Sequence, residues 1–189
     1  MKTPLRRILI LVTLLAVTAT SHASDDARPL AVFTTSMGSF TAELFPDSAP
    51  KACENFTTHA RNGYYDGILV HRVEEDFVIQ SGDPAGTGYS GRSIWGEPFE
   101  NEIDPSLTFD EPFVLAMANR GTAKTNNSQY FVTVAPAPWM TGAYTIFGRV
   151  IEGREVVEAI NGVDIDPTSQ RPIRDVVVES IEIRDGASE

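Results

Sequence analysis

The sequence predicts a mainly β domain: a closed eight-stranded antiparallel barrel capped by two α-helices. Three observations lead there. Eight short β-rich runs are separated by turn residues, only two segments carry helical spacing, and most consecutive strands have no helix between them. The last point excludes repeated parallel βαβ units, whose crossovers need a helix. Strands without intervening helices close most simply into an antiparallel barrel with helical plugs.

The runs, in order, are Ala31 to Thr35, Ser39 to Phe45, Gly67 to Val73, Phe77 to Gln80, Phe113 to Ala118, Tyr130 to Ala135, Thr145 to Ile151 and Val176 to Ile183. Met37-Gly38 between the first two is a hairpin signal. The first helix is expected after Asp47 or Ser48 as cap, with Pro50 near the first turn, where its missing N–H costs little. Ala52, Phe56 and Ala60 give its apolar face, and Gly63 stops it. In the second, Glu152 and Glu155 occupy the first turn, Val156, Val157 and Ile160 form the stripe, and Asn161-Gly162 ends it.

Composition bounds the chemistry. The chain has 189 residues, 42% hydrophobic and 22% charged, which is globular composition for one domain. A single cysteine, Cys53, excludes an internal disulfide and the multi-thiolate zinc and iron–sulfur sites. It is expected to pack inside the first helix. The net charge of −11 lacks the basic footprint of a nucleic-acid binder.

Residues 1–23 read as a secretory signal peptide. Lys2, Arg6 and Arg7 precede an apolar stretch from Ile8 to Ala19, and Ser21-His22-Ala23 offers a small-residue cleavage site. The stretch is too short to span a bilayer, which needs about 20 residues. Cleavage removes three of the 15 basic residues and no acidic one, so the mature charge is −14. Such a charge disfavours anionic lipid and nucleic acid. Residues 24–29 are expected as a short leader, 30–184 as the domain and 185–189 as a C-terminal tail. The destination is an exported compartment, the periplasm by preference over full secretion.

Several motifs fail. Gly86-Thr87-Gly88-Tyr89-Ser90-Gly91 has the letters of a dinucleotide fingerprint, but Arg92 to Pro98 after it cannot open a helix. Asn55-Phe56-Thr57 and Asn126-Asn127-Ser128 are glycosylation sequons by letter only. His22, His59 and His71 have no ligand spacing, and no hydrolase signature is present. No metal or cofactor is expected.

Four blocks remain: His71-Arg72-Val73 through Phe77-Val78-Ile79-Gln80-Ser81-Gly82-Asp83, Leu115-Ala116-Met117-Ala118-Asn119, Ser128-Gln129-Tyr130-Phe131, and Trp139-Met140 with Tyr144 through Phe147-Gly148. They set a cation, two glutamines and several aromatics on or beside barrel strands. Together, from about residue 30 to 184, they resemble the cyclophilin family of peptidyl-prolyl cis–trans isomerases, and in particular its exported bacterial members. Phe77-Val78-Ile79-Gln80-x-Gly82-Asp83 is similar to the family's F-x-x-Q-x-G-D block, and Ser128-Gln129-Tyr130-Phe131 to its S-Q-F-F block.

The resemblance implies an eight-stranded barrel with a helix at each end and a non-covalent isomerase without cofactors. It makes Arg72 the catalytic arginine. Phe77, Val78, Phe131 and Met140 would wall a proline pocket. Gln80 and Asn119 would bind the peptide backbone, Gln129 would support Arg72, and Trp139 and Tyr144 would rim the groove. Ala118 and Arg120 would flank Asn119 at a neighbouring subsite. The sequence departs from the pattern in four places: Val78 stands for a common methionine, Tyr144 for a common histidine, Arg120 for a small residue and Ser81 for glycine. The loop Gly88 to Arg92 is also longer. The implied partners are proline-containing polypeptides and, through Trp139, cyclosporin A; a monomer is expected. Two other readings share the barrel: a peptide-binding chaperone module with incidental catalysis, and a secreted small-ligand barrel. The set Arg72, Gln80 and Gln129 argues against the last, which needs an enclosed cavity and no polar groove.

Overall fold

The computed structural model describes residues 28–185. The expected signal peptide, all but the end of the leader and all but the first residue of the tail lie outside the described residues. Nine strands and two helices follow in the order β1 (Leu30–Thr35), β2 (Gly38–Leu44), α1 (Pro50–Arg61), β3 (Ile68–Leu69), β4 (Arg72–Glu74), β5 (Val78–Ser81), β6 (Val114–Met117), β7 (Tyr130–Thr133), β8 (Ile146–Glu152), α2 (Arg154–Asn161) and β9 (Val177–Arg184). All pairings are antiparallel. The hydrogen-bonded order is β3-β9-β1-β2-β8-β6-β7-β5-β4.

This corrects the expected closed eight-stranded barrel. The run Gly67 to Val73 divides into β3, which pairs with β9, and β4, which pairs with β5. Val70 N–H donates to Val176 O, and His71 N–H to Gln80 O, so the main chain changes partner between them. A strand serving a different neighbour on each half must turn between the two. The end strands β3 and β4 are therefore not paired with each other, and the nine-stranded sheet is an open curl.

Period-two alternation fills the inner face of the curl. In β1, Ala31, Phe33 and Thr35 are buried while their neighbours are half-exposed. Phe33 stacks on Phe40 at 4.3 Å between ring centroids. From α1, Phe56 meets Phe33, Tyr65, Tyr130 and Phe147 at 5.1–5.9 Å. Fully burying such a side chain is worth roughly 1.5–3 kcal/mol, so this aromatic group holds α1 on the sheet. Cys53 is buried beside it, donating to Phe147 O at 3.6 Å, and burial pushes its thiol up to about 12. Cys53 packs, as expected. α2 packs on β2, β4 and β5.

Local corrections have simple causes. The β1–β2 hairpin turns on Ser36-Met37, since Thr35 pairs with Gly38. Thr35 Oγ1 closes it, accepting from Met37 N–H and donating to Gly38 O. Glu152 belongs to β8, and α2 starts at Arg154 after Gly153. Gly153 has φ +72°, and a Cβ there would lie 2.4 Å from Ser39 O. Neither sequon is open to modification, because Asn55 and Asn126 are buried. Asn55 instead bridges the Asn127 carbonyl and the Ile94 N–H. No helix among the described residues is long and apolar enough to cross a membrane.

Neither Asp47 nor Ser48 caps α1. Ala49 is the N-cap residue and makes no side-chain cap bond. Ser48 Oγ donates to Asp104 Oδ2 at 2.6 Å. The Glu102 carboxylate takes over, accepting from Lys51 N–H at 3.0 Å and Ala52 N–H at 2.9 Å. A carboxylate at a helix N-terminus also complements the helix dipole. Glu102→Ala is expected to lower stability by about 1–2 kcal/mol, the range for losing a cap, measured by urea unfolding; Ser48→Ala should cost less.

Candidate active site

The cross-strand register assembles the site. Arg72 of β4 stands opposite Gln80 of β5, Gln80 opposite Phe131 of β7, and Phe131 opposite Ala116 of β6. Residues directly opposite point to the same face, about 4.5–5.5 Å apart. The intervening residues Val73, Ile79, Val132 and Leu115 point to the main core and are buried. One row of the sheet thus turns a guanidinium, an amide and a phenyl ring toward the outer face.

An apolar cluster lines that outer face. Val78, Phe131 and Met140 are 2%, 4% and 6% exposed, so they form a shallow floor, not a deep hole. Phe109 stacks behind Phe131 at 6.0 Å, and Tyr144 stands edge-on to Phe131 at 5.4 Å. Phe77 lies 5.9 Å from the Trp139 ring, which is 70% exposed. Trp139 and Met140 sit in a short 3-10 turn, Pro138–Met140. The expected wall and rim residues are therefore together on one face.

The polar residues meet differently from expectation. Arg72 Nε donates to Gln170 Oε1 at 2.8 Å, its Nη1 to Gln80 Oε1 at 3.4 Å, and its Nη2 to Glu74. Gln129 does not support Arg72 directly. Gln80 Nε2 donates to Gln129 Oε1 at 2.9 Å, while Gln129 Nε2 donates to the carbonyls of Gly88 and Ser90. The support is a relay: Arg72, Gln80, Gln129, then the loop. Gly82 lets the strands close over it, for at φ +88° a Cβ would lie 2.4 Å from Ser128 O.

The loop is held by Asp83. Its carboxylate accepts from the N–H groups of Ala85, Thr87, Gly88 and Ser90 and from the hydroxyls of Thr87 and Ser90. Burial works against the charge, but these bonds outweigh it and hold the carboxyl well below its usual range. The failed dinucleotide motif is thus a glycine loop wrapped around one carboxylate. Asn119 fills the opposite bank. Its side chain donates to Ala143 O and Asn101 and accepts from Gly121 N–H. Its main-chain N–H and C=O make no bond to another main-chain group among the described residues. Ala118 is half-buried between them, and Arg120 is exposed.

Sequence reading missed Glu74, Phe109 and Gln170, and quoted Asp83 in a block without giving it a role. Strand alternation could have found Glu74, two residues from Arg72 on the same face. Gln170 carried no local signal, being 98 residues away in a turn where its φ is +58°.

Two buried histidines give the fold a pH dependence. Burial is the leading cause that lowers both His59 and His71 from 6.5. Both ring nitrogens of His71 are without a hydrogen-bond partner, and Arg171 and Arg72 oppose its charging while Asp83 favours it. A base with a lowered folded pKa binds fewer protons folded than unfolded, so stability falls as pH drops below 6.5. Asp83 adds nothing there, since its contribution is lost only as pH falls from 3.8 through its lower folded value. Melting temperature should therefore decline from pH 6.5 toward 5. The His59→Gln/His71→Gln double variant should flatten that slope; an unchanged slope would assign it elsewhere.

Comparison with known proteins agrees with this geometry. A family model described as "Cyclophilin type peptidyl-prolyl cis-trans isomerase/CLD" matches residues 30–183. The chain is 47% identical over 154 residues to human peptidylprolyl isomerase domain and WD repeat-containing protein 1, covering 82% of this chain and 24% of that protein. It thus spans about a quarter of the length of such multidomain relatives. Peptidyl-prolyl cis-trans isomerase-like 1 of Aspergillus fumigatus is 49% identical over 147 residues, covering 78% of this chain and 90% of that one. A crystal structure of a Cryptosporidium parvum cyclophilin type isomerase, determined in the presence of the dipeptide Ala-Pro, superposes with a TM-score of 0.79 at 37% identity. That match covers 82% of this chain and 98% of the other. These relatives are eukaryotic; they bear on fold and family, not on the expected bacterial origin or export. With an aromatic floor, a guanidinium row and this extent of matching, the chain belongs to the cyclophilin-type peptidyl-prolyl cis–trans isomerase family.

Proposed function

We propose that this chain accelerates rotation about Xaa-Pro bonds in polypeptides, with Arg72 acting on the twisted amide. The observation that carries this is the row in which Arg72, Gln80 and Phe131 face the same side of the sheet. The Ala-Pro dipeptide associated with the solved relative supports proline-containing chains as the ligand class.

Rotation breaks no bond and needs no nucleophile. Its barrier of about 18–20 kcal/mol is lost amide resonance. In the twisted state the nitrogen lone pair leaves the amide system and becomes a hydrogen-bond acceptor. A guanidinium placed beside it therefore binds the transition state better than the planar ground state. One charge-assisted bond, worth roughly 1.5–3 kcal/mol, gives a rate effect on the order of ten- to a hundredfold. Phe131, Met140 and Val78 would seat the proline ring while the preceding residue turns, with Phe77 beside them. The main-chain groups of Asn119 and the Gln80 amide would hold the peptide on either side. Trp139 and Tyr144 would rim the groove, and Trp139 would also contact cyclosporin A.

The setting we propose is the periplasm of a bacterial cell, reached by the signal peptide of residues 1–23. Uncatalysed isomerisation takes tens to hundreds of seconds, slow enough to limit the folding of exported chains. A monomer suffices for this site, since every group named lies in one chain.

Arg72→Ala is expected to lower kcat/KM on a Xaa-Pro peptide by at least about tenfold with the fold intact. An NMR-exchange or protease-coupled assay measures this, and unchanged turnover would remove the mechanism. Trp139→Ala is expected to weaken cyclosporin A binding, followed by tryptophan-independent calorimetry, more than it lowers turnover. Equal losses in both would contradict the assignment of Trp139 to the rim.

A further inference from the structure

The turn of residues 164–173, between α2 and β9, meets the edge of β4 that no strand covers. It is closed on itself. Asp166 N–H donates to Arg171 O, Gln170 N–H to Asp166 O and Ile173 N–H to Asp164 O, each at 2.8 Å, and Ile165 bridges Pro172. The Asp166 carboxylate accepts from the N–H groups of Thr168 and Ser169. So fixed, the turn offers two acceptors from one residue. Gln170 O accepts from Val73 N–H at 2.8 Å, and Gln170 Oε1 accepts from Arg72 Nε at 2.8 Å.

Gln170 makes both bonds from an unfavourable backbone conformation. Its φ is +58°, in the left-handed region where a Cβ crowds the backbone and glycine is the default. Such a residue persists only where its surroundings over-determine it, and residues of this kind cluster at functional sites. Closing the turn does not need the glutamine side chain, because the closing bonds run through main-chain atoms, Asp166 and Ser169. The one side-chain hydrogen bond of Gln170 among the described residues is to Arg72.

Of the three acceptors around Arg72, Gln170 is the one suited to set the guanidinium plane. Gln80 stands at 3.4 Å, at the long end of the hydrogen-bond range. The Glu74 pair is about one-third exposed on both sides, so solvent screens it. Gln170 is half-buried, close and neutral, so it orients the cation without neutralising it. It engages Nε–H, the donor nearest the stem, and leaves both terminal nitrogens to other partners.

We propose that Gln170 is a positioning residue for the reaction, held at positive φ because its side chain fixes the plane of the Arg72 guanidinium. The assignment rests on the isomerase reading and adds to it a residue that acts only through Arg72.

The test measures kcat and KM on a proline tetrapeptide by NMR exchange, with the melting temperature alongside. It compares the full chain with its Gln170→Gly and Gln170→Glu variants, each also combined with Arg72→Ala. Glycine accepts positive φ without strain, so Gln170→Gly should melt no lower than the unaltered protein. Its kcat should nevertheless fall about tenfold, as misplacement of a catalytic group demands, with KM within about twofold, since the lost interaction belongs to the transition state. Glutamate keeps an acceptor at the same reach, so Gln170→Glu should stay closer to the unaltered kcat than to that of the glycine variant. With Arg72→Ala present, Gln170→Gly should change kcat no further, because residues acting through one contact are not additive. Four results would each overturn the positioning role and leave the isomerase reading standing: an undiminished kcat in Gln170→Gly, a kcat loss that comes with a lower melting temperature, a Gln170→Glu variant as slow as the glycine variant, or a loss that persists in full beside Arg72→Ala. No turnover by the unaltered protein removes the isomerase reading and this one with it.

Discussion

The site depends on the two-residue period of a β-strand, kept in register across β4, β5, β7 and β6. Because neighbours on a strand point to opposite faces, Val73, Ile79, Val132 and Leu115 can fill the core while Arg72, Gln80, Phe131 and Ala116 face outward. A slip of one residue in any pair would drive a guanidinium or an amide into the apolar core and expose its partner. The core cost of such a slip, several buried aliphatic side chains, is far larger than any gain at the surface. Packing on the inner face therefore fixes the chemistry on the outer face.

That explains why the polar relay can be precise without being rigid by itself. Gln80 and Gln129 could each rotate their amides, but each is pinned from both ends. Gln80 receives from Arg72 and donates to Gln129; Gln129 donates to the carbonyls of Gly88 and Ser90. Those carbonyls are fixed because the loop carrying them is gathered around the Asp83 carboxylate. A charged acceptor at its centre makes these bonds stronger than neutral ones. The same carboxylate favours the charged form of His71, whose unpartnered ring lies under Gly88. Loop, relay and guanidinium thus form one continuous polar structure set against an apolar floor.

Much of this was legible in the residues. Strand alternation, turn residues and helical spacing located seven of the nine strands to within a few residues and covered β3 and β4 with a single run, and the blocks around Arg72, Gln80, Gln129 and Phe131 marked the candidate site. What was not legible depended on contacts distant in sequence. The division of Gly67 to Val73 into β3 and β4 follows from two partners, β9 and β5, that the run itself does not specify. The cap of α1 comes from Glu102, some 50 residues on, because Ser48 is drawn to Asp104. Gln170 reaches Arg72 from a turn whose own letters suggest only a loop. Each missed feature is a polar group meeting a partner that no periodicity encodes.

The partners of Arg72 also bear on why the residue is arginine. Its five N–H donors meet three acceptors in this structure: Gln170, Gln80 and Glu74. Two donors remain, one on each terminal nitrogen, pointing from a side chain that its neighbours already hold still. The Glu74 pair is about one-third exposed on both sides, so it is worth at most about 1 kcal/mol and can yield to a substrate. A lysine would offer three donors on one nitrogen. The same three acceptors would engage all of them, leaving none for the amide nitrogen whose lone pair, in the mechanism proposed above, is localised only on twisting. On the proposed mechanism, the requirement at this position is donors in excess of those needed for orientation, and guanidinium, with five, meets it.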